Sequence, residues 1–488
     1  MSRNKIAKGS LILIAKRWTV RLLSVFSTVI LARLLEPSEF GLLALALSFS
    51  ILFEVLAEFN FDFALIRTTE LTDEHYHTAW TLNVIGNSVI ALALGLSAPL
   101  LAEFAQVERA TAVLQVIALC FFFDGLQNIG MVQWRRQLSF SQEFHLEFWR
   151  KVLEVGTALI WALVSPTVWA LVAGMAVGRF SGVALSYVLH PFRPRFCLQH
   201  WRELWGFSGW AVAYNFVNRM AYRVDHFLIA RFSNLTSVGF YSNAQMLAML
   251  PTQEIVWPVT RALYPGFSSM LHDKARLRAA YLNALGGLLA LAMPLAVGMA
   301  FCARSVVRVL LGEQWLDATP LVQGLAIAQI VVLSAASAVP LLLALGKIRG
   351  LFFRSLFLVG YRATFFYLAL TWLGVGGVVW AVLASVLITT QWDNFMVLRA
   401  LELPYRRYFQ QLWRPLLAVS LMALVLWQWL PALAEDASVV DALLHLLLAA
   451  VLGGPVYLTT LLLSWRWAGK PDGLEKLALG WLQTRLAR

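Results

Sequence analysis

Charged residues are scarce in this chain, and their scarcity argues against a water-soluble protein. Asp, Glu, Lys and Arg together make up 14% of the 488 residues, and hydrophobic residues make up 60%. Soluble domains carry about 25% charged residues, because their surfaces face water. A bilayer, in contrast, accepts apolar side chains, and each helix that crosses it needs roughly 20 mostly apolar residues. The composition therefore predicts a membrane protein.

Cysteine and long polar segments are also scarce. Cys120, Cys197 and Cys302 show no CxxC spacing, so the sequence indicates neither a disulfide framework nor a metal site. The predicted loops are short, which leaves no room for a soluble catalytic domain. We therefore expect a protein that is not an enzyme and that has no cofactor.

The apolar segments predict an all-α polytopic membrane protein with about 14 transmembrane helices, because backbone polar groups in lipid must be satisfied within the helix. The predicted spans are 15–34, 40–60, 79–102, 111–130, 148–165, 167–189, 205–231, 238–264, 281–302, 320–345, 351–372, 374–398, 414–431 and 441–464. Prolines predict interruptions at 251, 258 and 265 in the eighth helix, and at 294 and 340 in two others.

Lys and Arg are distributed unevenly between the predicted sides. With the N-terminus inside, 28 of the 39 lie at cytoplasmic ends or loops, 5 on the opposite side and 6 within spans. This positive-inside pattern predicts that both termini are cytoplasmic. The net charge of +12 then reflects topology and attraction to anionic membrane lipids, so no nucleic-acid partner is expected.

An internal repeat relates two parts of the chain at an offset of 198 residues. Arg33 matches Arg231, Gly41 matches Gly239 and, further back, Arg21 matches Arg219. Both copies cross the same kind of joint, so the repeat is parallel and predicts two six-helix lobes. The predicted divisions are an N-terminal lobe at 1–198, a C-terminal lobe at 199–400, two additional helices at 401–465 and a cytoplasmic amphipathic tail at 466–488.

Five sequence blocks follow one another in a recognisable order. They begin with Leu31-Ala32-Arg33-Leu34-Leu35-Glu36-Pro37-Ser38-Glu39-Phe40-Gly41 and continue with Asp225-His226-Phe227-Leu228-Ile229-Ala230-Arg231, Val238-Gly239-Phe240-Tyr241, Leu263-Tyr264-Pro265-Gly266-Phe267 and Leu310-Leu311-Gly312-Glu313-Gln314-Trp315. Together these blocks resemble the polysaccharide transporter family, which belongs to the MOP superfamily of flippases and drug extruders. The resemblance is greatest to the colanic acid and teichuronic acid exporter branch. One departure is Phe59-Asn60-Phe61-Asp62, where the family has a glycine-rich element.

The resemblance implies a Wzx-type flippase in the bacterial inner membrane. Such a protein moves undecaprenyl-pyrophosphate-linked oligosaccharide across the membrane by alternating access, for exopolysaccharide, capsule or O-antigen assembly. Its partners would be that lipid-linked substrate, membrane lipids and the polysaccharide polymerase machinery, and we expect a monomer. A gradient of H⁺ or Na⁺ is a possible source of energy.

The seventh predicted helix carries the densest set of polar residues. Placed on a regular helix, one face holds Asn215, Asn218, Arg219, Tyr222, Asp225 and His226. Arg219 and Arg223 have planar donor groups that suit phosphate oxygens, and the amides and the phenol suit sugar hydroxyls. The alternative is an internal Arg–Asp pair that only fixes helix packing.

Other polar residues within the spans are weaker candidates. Substrate-binding candidates on other helices are Arg21, Asn83, Asn87, Arg261 and Arg362. Each has an alternative structural interpretation, such as interfacial placement, interhelical hydrogen bonding or pairing with a carboxylate. The candidates for ion coupling are Asp225, His226, Asp124, Asp62, Glu254 and Asp393, because a buried carboxyl can exchange a proton near neutral pH.

Two other functions remain open at this point. The first is a peptidoglycan-precursor flippase or drug exporter of the same superfamily; the cationic residues disfavour cationic drugs, but the peptidoglycan precursor shares the lipid pyrophosphate. The second is a membrane-embedded polysaccharide polymerase, which would need carboxylates in a sizeable external loop. No such loop is predicted.

Overall fold

The computed structural model describes residues 3–57, 65, 71–136, 139–204 and 209–470. All regular secondary structure within these ranges is helical, which confirms the all-α fold. The main helices are α1 Arg3–Leu34, α2 Pro37–Ala57, α3 Asp73–Ala105, α4 Ala110–Gly125, α5 Phe140–Val164, α6 Val168–Leu189, α7 in two halves (Gly209–Ala221 and Val224–Phe232), α8 Leu235–Ser268, α9 Lys274–Leu310, α10 Thr319–Leu333, α11 Ile348–Leu373, α12 Val378–Leu401, α13 Tyr405–Trp429 and α14 Val439–Trp467.

Shorter helices extend or connect these elements. They are Ile129–Met131, Val132–Arg136, Trp201–Leu204, Glu313–Ala318, Ala338–Ala344 and Gly374–Gly377. Each of the fourteen predicted spans coincides with one main helix or with a main helix and its short extension. The predicted tail lies mainly in residues 471–488, outside the described part.

Within the described residues, eight helical segments are long and apolar enough to cross a membrane, or nine if the bent pair Ala110–Gly125 and Ile129–Arg136 forms one span. One of the eight, Ile348–Leu401, contains both α11 and α12. Helices α1, α5, α7 and α8 fall outside this criterion. Three of these four carry the predicted cationic candidates Arg21, Arg219 and Arg261, whereas Arg362 lies in α11, within one of the eight segments.

The chain forms two compact units, Met1–Gly239 and Phe240–Arg488. The two units divide after Gly239, in the first turns of α8. The predicted boundary between the lobes, at residue 198, lies before α7 instead. Both halves of α7 pack against α2, which explains why contacts assign α7 to the first unit. The superposition of two six-helix lobes stays a prediction.

Glycines allow close helix contacts in the first unit. A Cβ atom added at Gly174 of α6 would lie 2.7 Å from the Cβ of Ala158 on α5. A Cβ at Gly125 of α4 would lie 2.8 Å from the Cβ of Asn87 on α3. Larger residues at either position would separate the paired helices.

The breaks in the helices do not follow the prolines, except in one case. Pro251, Pro258 and Pro265 all lie inside helix α8, and Pro294 lies inside α9, so none of the four divides its helix, and a kink at each stays a prediction. Local rearrangement within a membrane helix can satisfy the carbonyl that a proline leaves without a donor. Only Pro340 lies near a break, because a turn at 334–337 separates α10 from Ala338–Ala344.

In the second unit, buried polar groups fix α14 to its neighbours. Ser305 of α9 and Nδ1 of His445 on α14 are 2.8 Å apart, and Nε2 of His445 lies 3.0 Å from the carbonyl oxygen of Pro431. The guanidinium of Arg308 donates to the carbonyl oxygens of Glu435 and Ala437 in the loop before α14. The C-terminal pair of helices is therefore held by specific bonds as well as apolar packing.

Candidate substrate and ion-coupling sites

A break in α7 is the central feature of the candidate substrate site. The amide of Tyr222 donates to the carbonyl oxygens of Asn218 and Arg219, at 3.3 and 3.2 Å, and the amide of Arg223 donates to Met220. These short-range bonds end the first half of the helix, and a new helix begins at Val224. Broken helices in membranes occur where the backbone is buried in protein or lines a cavity.

Four polar candidates surround this break. Arg219 lies in the last turn of the first half, and Arg223 lies at the N-cap of the second half. Asn218 and both arginines are partly buried, and the Tyr222 side chain is 41% exposed. Asn215 is also partly buried, one turn before Arg219. Two arginines and their hydrogen-bonding neighbours thus lie together within a predicted span.

Asp225 and His226 directly follow the break. Both side chains are fully buried, and Nδ1 of His226 lies 2.9 Å from Oδ1 of Asp225. The same carboxylate oxygen accepts the backbone N–H of His226. Because the break interrupts the regular helix, the single polar face expected of a continuous helix stays a prediction on the far side of Tyr222 and Arg223.

The other candidates of the first unit lie on separate helices. Arg21 is partly buried on α1, which packs against α5. The amide of Asn87 donates to the carbonyl oxygen of Asn83 at 2.9 Å, and both residues lie against Gly125. These contacts agree with the structural interpretation of the two asparagines, and a contact of any of the three residues with substrate stays a prediction.

Arg261 and Arg362 belong to the second unit and have different surroundings. Arg261 is exposed on α8, and its guanidinium lies 4.1 Å from the ring centre of Trp257. Arg362 is 3% exposed on α11, at 5.4 Å from the ring of Phe366. The two arginines therefore lie in different environments, because Arg261 is exposed and Arg362 is buried.

Arginines neutralise two of the predicted ion-coupling carboxylates. Asp124 of α4 pairs with Arg179 of α6, with both side chains about one quarter exposed. Asp393 of α12 accepts from Nε of Arg354 on α11 at 3.0 Å and from its Nη2, and this pair is almost fully buried. Each of these two carboxylates therefore has a cationic partner on a neighbouring helix.

The remaining carboxylates are less informative. Glu254 is partly buried on α8, and Asp62 lies outside the described residues.

Among the described residues, no group of three or more His, Cys, Asp or Glu side chains has an arrangement that could hold a metal ion. Among the candidates that the structure describes, Asp225 and His226 form a bonded pair in which both side chains are fully buried.

Sequence reasoning missed the partner of Asp393. It counted Arg354 among the cytoplasmic charges, but the structure buries this residue. An acidic and a basic residue at matching depth on consecutive spans are a usable signal for such a pair. Arg179, the partner of Asp124, lies on α6, and this helix packs closely against α5 through Gly174 and Gly178.

Comparisons with known proteins identify the family of the chain and its fold. Residues 30–320 match the model of the family described as "Polysaccharide biosynthesis protein". The chain is 26% identical over 445 residues to the succinoglycan biosynthesis transport protein ExoT of Rhizobium meliloti (strain 1021), covering 90% of each chain. It is 24% identical over 278 residues to the teichuronic acid biosynthesis protein TuaB of Bacillus subtilis (strain 168), covering 56% of this chain and 58% of that one.

Solved structures of low sequence identity share the fold. The lipid II flippase MurJ in an inward closed conformation aligns with a TM-score of 0.72 at 15% identity, covering 93% of this chain and 99% of that one. An inward-facing MATE family multidrug resistance transporter of the MOP superfamily aligns with a TM-score of 0.60 at 13% identity, covering 78% of this chain and 95% of that one. The chain therefore belongs to the polysaccharide biosynthesis protein family and has the polytopic helical fold of MOP superfamily transporters.

Proposed function

We propose that this chain is a flippase that moves undecaprenyl-pyrophosphate-linked oligosaccharide repeat units across the bacterial inner membrane, for exopolysaccharide, capsule or O-antigen assembly. The observation that carries the proposal is the break in α7, where Arg219 and Arg223 lie with Asn218 and Tyr222 inside a predicted span. Family membership and the similarity to a succinoglycan transport protein support a polysaccharide substrate.

The chemistry of the substrate matches the residues at the break. Two arginines at an intramembrane site are costly unless they meet water, an anion or a carboxylate. A pyrophosphate diester carries two negative charges and oxygens that suit guanidinium donors. Asn215, Asn218 and Tyr222 add neutral donors and acceptors for sugar hydroxyls. Anion and glycan recognition can therefore occur at one site.

Energy coupling is assigned to the Asp225–His226 pair. Asp225 and His226 are both fully buried and bonded to each other, and a buried carboxyl can exchange a proton near neutral pH. The pair directly follows the break, so a change in its protonation would act on the same helix that carries Arg219. Under this proposal, Asp225→Asn abolishes the response of transport to a proton gradient and leaves gradient-independent flipping.

The experiment that tests the function compares substrates in proteoliposomes. Full-length protein is reconstituted with undecaprenyl-pyrophosphate-linked oligosaccharide, with the peptidoglycan precursor or with a cationic drug, with and without a pH or Na⁺ gradient. We expect flipping of the oligosaccharide and at least tenfold slower movement of the other two. Equal flipping of the peptidoglycan precursor would contradict the proposal, and so would chain elongation in the same liposomes.

A further inference from the structure

The linker between α6 and α7 is bonded along its length to the rest of the first unit. We call residues 190–200 the strap. At its start, the buried side-chain amide of Asn128 lies 3.4 Å from the carbonyl oxygen of His190 and 2.8 Å from that of Phe192, and donates to both. The structure therefore fixes the point at which the chain leaves α6.

Side chains of α3 hold the rest of the strap. Nδ1 of His77 accepts the backbone N–H of Arg195 at 3.0 Å, and the hydroxyl of Thr81 accepts the backbone N–H of Cys197 at 2.9 Å. The hydroxyl of Thr78 accepts the N–H of His200 at 3.4 Å. Three side chains on one face of α3 thus bind three backbone donors, which gives the strap a defined conformation.

The exposed side chains of the strap are aromatic, apolar and basic. Phe196 is 73% exposed although its ring also contacts Trp80 of α3, Leu198 is 49% exposed, and Trp201, which directly follows the strap, is 44% exposed. Arg195 and Arg202 are also exposed, and the Arg202 guanidinium lies 5.4 Å from the Trp201 ring. Residues 190–202 contain three arginines and no acidic residue, and one glutamate, Glu203, follows them. The surface therefore combines apolar groups with a net positive charge.

We propose that the strap, together with Trp201 and Arg202, is a docking surface for anionic phospholipid headgroups of the leaflet next to it. The surface begins directly after α6, which ends at Leu189, so it lies at the predicted boundary between membrane and water. Aromatic rings favour the headgroup region of a bilayer, and arginines near an anionic leaflet gain about 1 kcal/mol each. The charge of the surface selects an anionic headgroup over a zwitterionic one.

The bonded backbone is what makes this surface specific. A mobile linker would lose conformational freedom when its side chains bound lipid, and that loss would reduce the affinity. Here the α3 side chains already fix the backbone, so Arg195 and Phe196 are presented together. The proposal is independent of the transported substrate, and its test needs no transport assay.

The test measures lipid preference in the full-length protein. The wild type and the variant Arg195→Gln/Arg202→Gln are incubated in detergent with equal amounts of phosphatidylglycerol and phosphatidylcholine, and the retained lipids are counted by native mass spectrometry. A gain of about 1 kcal/mol per arginine corresponds to an affinity about fivefold higher. We therefore expect the variant's preference for phosphatidylglycerol to be between about fivefold and thirtyfold lower than that of the wild type. The matched control is Arg406→Gln/Arg407→Gln, which removes two exposed cations from a loop predicted on the same side.

A second measurement locates the lipid. An environment-sensitive fluorophore is attached to Gln199→Cys in a background in which Cys120, Cys197 and Cys302 are replaced by Ser, and the protein is placed in nanodiscs with or without phosphatidylglycerol. We expect a blue shift that increases with phosphatidylglycerol and decreases with salt. An equal loss of preference in the control variant would overturn the proposal, because net charge alone would then explain it. A fluorophore that stays in water in every nanodisc would also overturn it and would favour a protein partner.

Discussion

Gly41 of α2 and Gly239 of α8 lie directly against each other, and the contact is reciprocal. A Cβ atom at Gly41 would lie 1.8 Å from the carbonyl oxygen of Leu235, and a Cβ at Gly239 would lie 2.0 Å from that of Pro37. Gly41 and Gly239 are repeat mates at the offset of 198, and so are Pro37 and Leu235. All four residues belong to the first unit. Each glycine therefore lies against the carbonyl group four residues before its repeat mate.

This contact predicts that neither glycine tolerates a side chain. In Gly41→Ala or Gly239→Ala, the methyl group would overlap a backbone carbonyl that cannot move alone, so the two helices must separate. We expect the free energy of unfolding to fall by about 1–3 kcal/mol, as for other overpacked sites. Thermal unfolding of the purified protein measures the effect.

The matched control for this prediction is Gly266→Ala on the same helix α8. A Cβ at Gly266 would have no neighbour within 4 Å. We expect stability close to that of the wild type. Equal stability of Gly239→Ala and Gly266→Ala would show that the close contact is not maintained in the membrane.

Arg219 is predicted to anchor the substrate. If it binds pyrophosphate at a poorly hydrated site, Arg219→Ala removes a charged hydrogen bond worth about 1.5–3 kcal/mol, or roughly tenfold to over a hundredfold in affinity. Arg219→Lys should recover only part of the transport, because an ammonium cannot reproduce two parallel donors. The measurement is flipping in proteoliposomes at matched protein levels.

An exposed arginine on the second half of α7 provides the control. Arg231→Ala should transport at a rate close to that of the wild type. Normal transport by Arg219→Ala would contradict the anchor role. Recovery of folding and transport in the neutral double variant Arg219→Gln/Asp225→Asn would support the packing alternative instead.

The buried pair of Arg354 and Asp393 is predicted to be structural. Asp393→Ala leaves an arginine buried without its carboxylate, and breaking such a pair costs about 3–5 kcal/mol. Arg354→Met/Asp393→Leu should recover most of this stability, because apolar residues of similar volume can replace a buried ion pair. Thermal unfolding compares the three proteins. If the double variant folds but its transport no longer responds to a gradient, Asp393 is a coupling residue after all.

Acid is predicted to loosen the strap. Nδ1 of His77 accepts the N–H of Arg195, and Nδ1 of His190 accepts that of Phe192 at 3.1 Å, so both rings must be neutral at this nitrogen. Burial, and secondarily the positive charge of Arg193, lower the pKa of His190. Glu74 on α3 interacts electrostatically with His77 and with His200 of the strap.

The direction of the pH effect follows from the His190 pKa. An unfolded histidine has a pKa near 6.5, and the pKa of His190 in the folded strap is lower. Between these two values the unfolded strap therefore binds more protons than the folded strap does. The stabilisation is complete above about pH 6.5 and is lost as the pH falls through the folded pKa. Hydrogen exchange in residues 189–200, corrected for intrinsic rates, should therefore increase between pH 7.5 and pH 5.5. His77→Asn/His190→Asn, whose amide oxygens accept at any pH, should remove this increase.

The charge asymmetry predicts the topology. Native Cys197, and cysteines introduced near residues 140, 273, 350 and 406, should react with membrane-impermeant reagents only from the cytoplasmic side. Labelling of intact cells and of inverted vesicles distinguishes the two sides. Reaction of any of these sites in intact cells would contradict the fourteen-helix topology.

The sequence by itself determined the class of fold and the position of most helices. Apolar segments of sufficient length must be helical in lipid, and turn signals such as Pro37 and Gly374 end them, so both are local properties. The repeat was also visible from the spacing of Arg33, Gly41, Arg231 and Gly239. These features depend on interactions between residues that are close in the chain, or between the chain and the bilayer.

Only the tertiary structure decided which polar residues share a site. The sequence predicted one polar face from Asn215 to His226, whereas the break at Tyr222 and the bond between the buried Asp225 and His226 are visible only in the structure. Likewise, the pairing of Asp393 with Arg354 depends on how α11 and α12 pack, which spacing within one helix does not encode. A buried charge takes the partner that packing brings within bonding distance, and packing is a property of the whole unit.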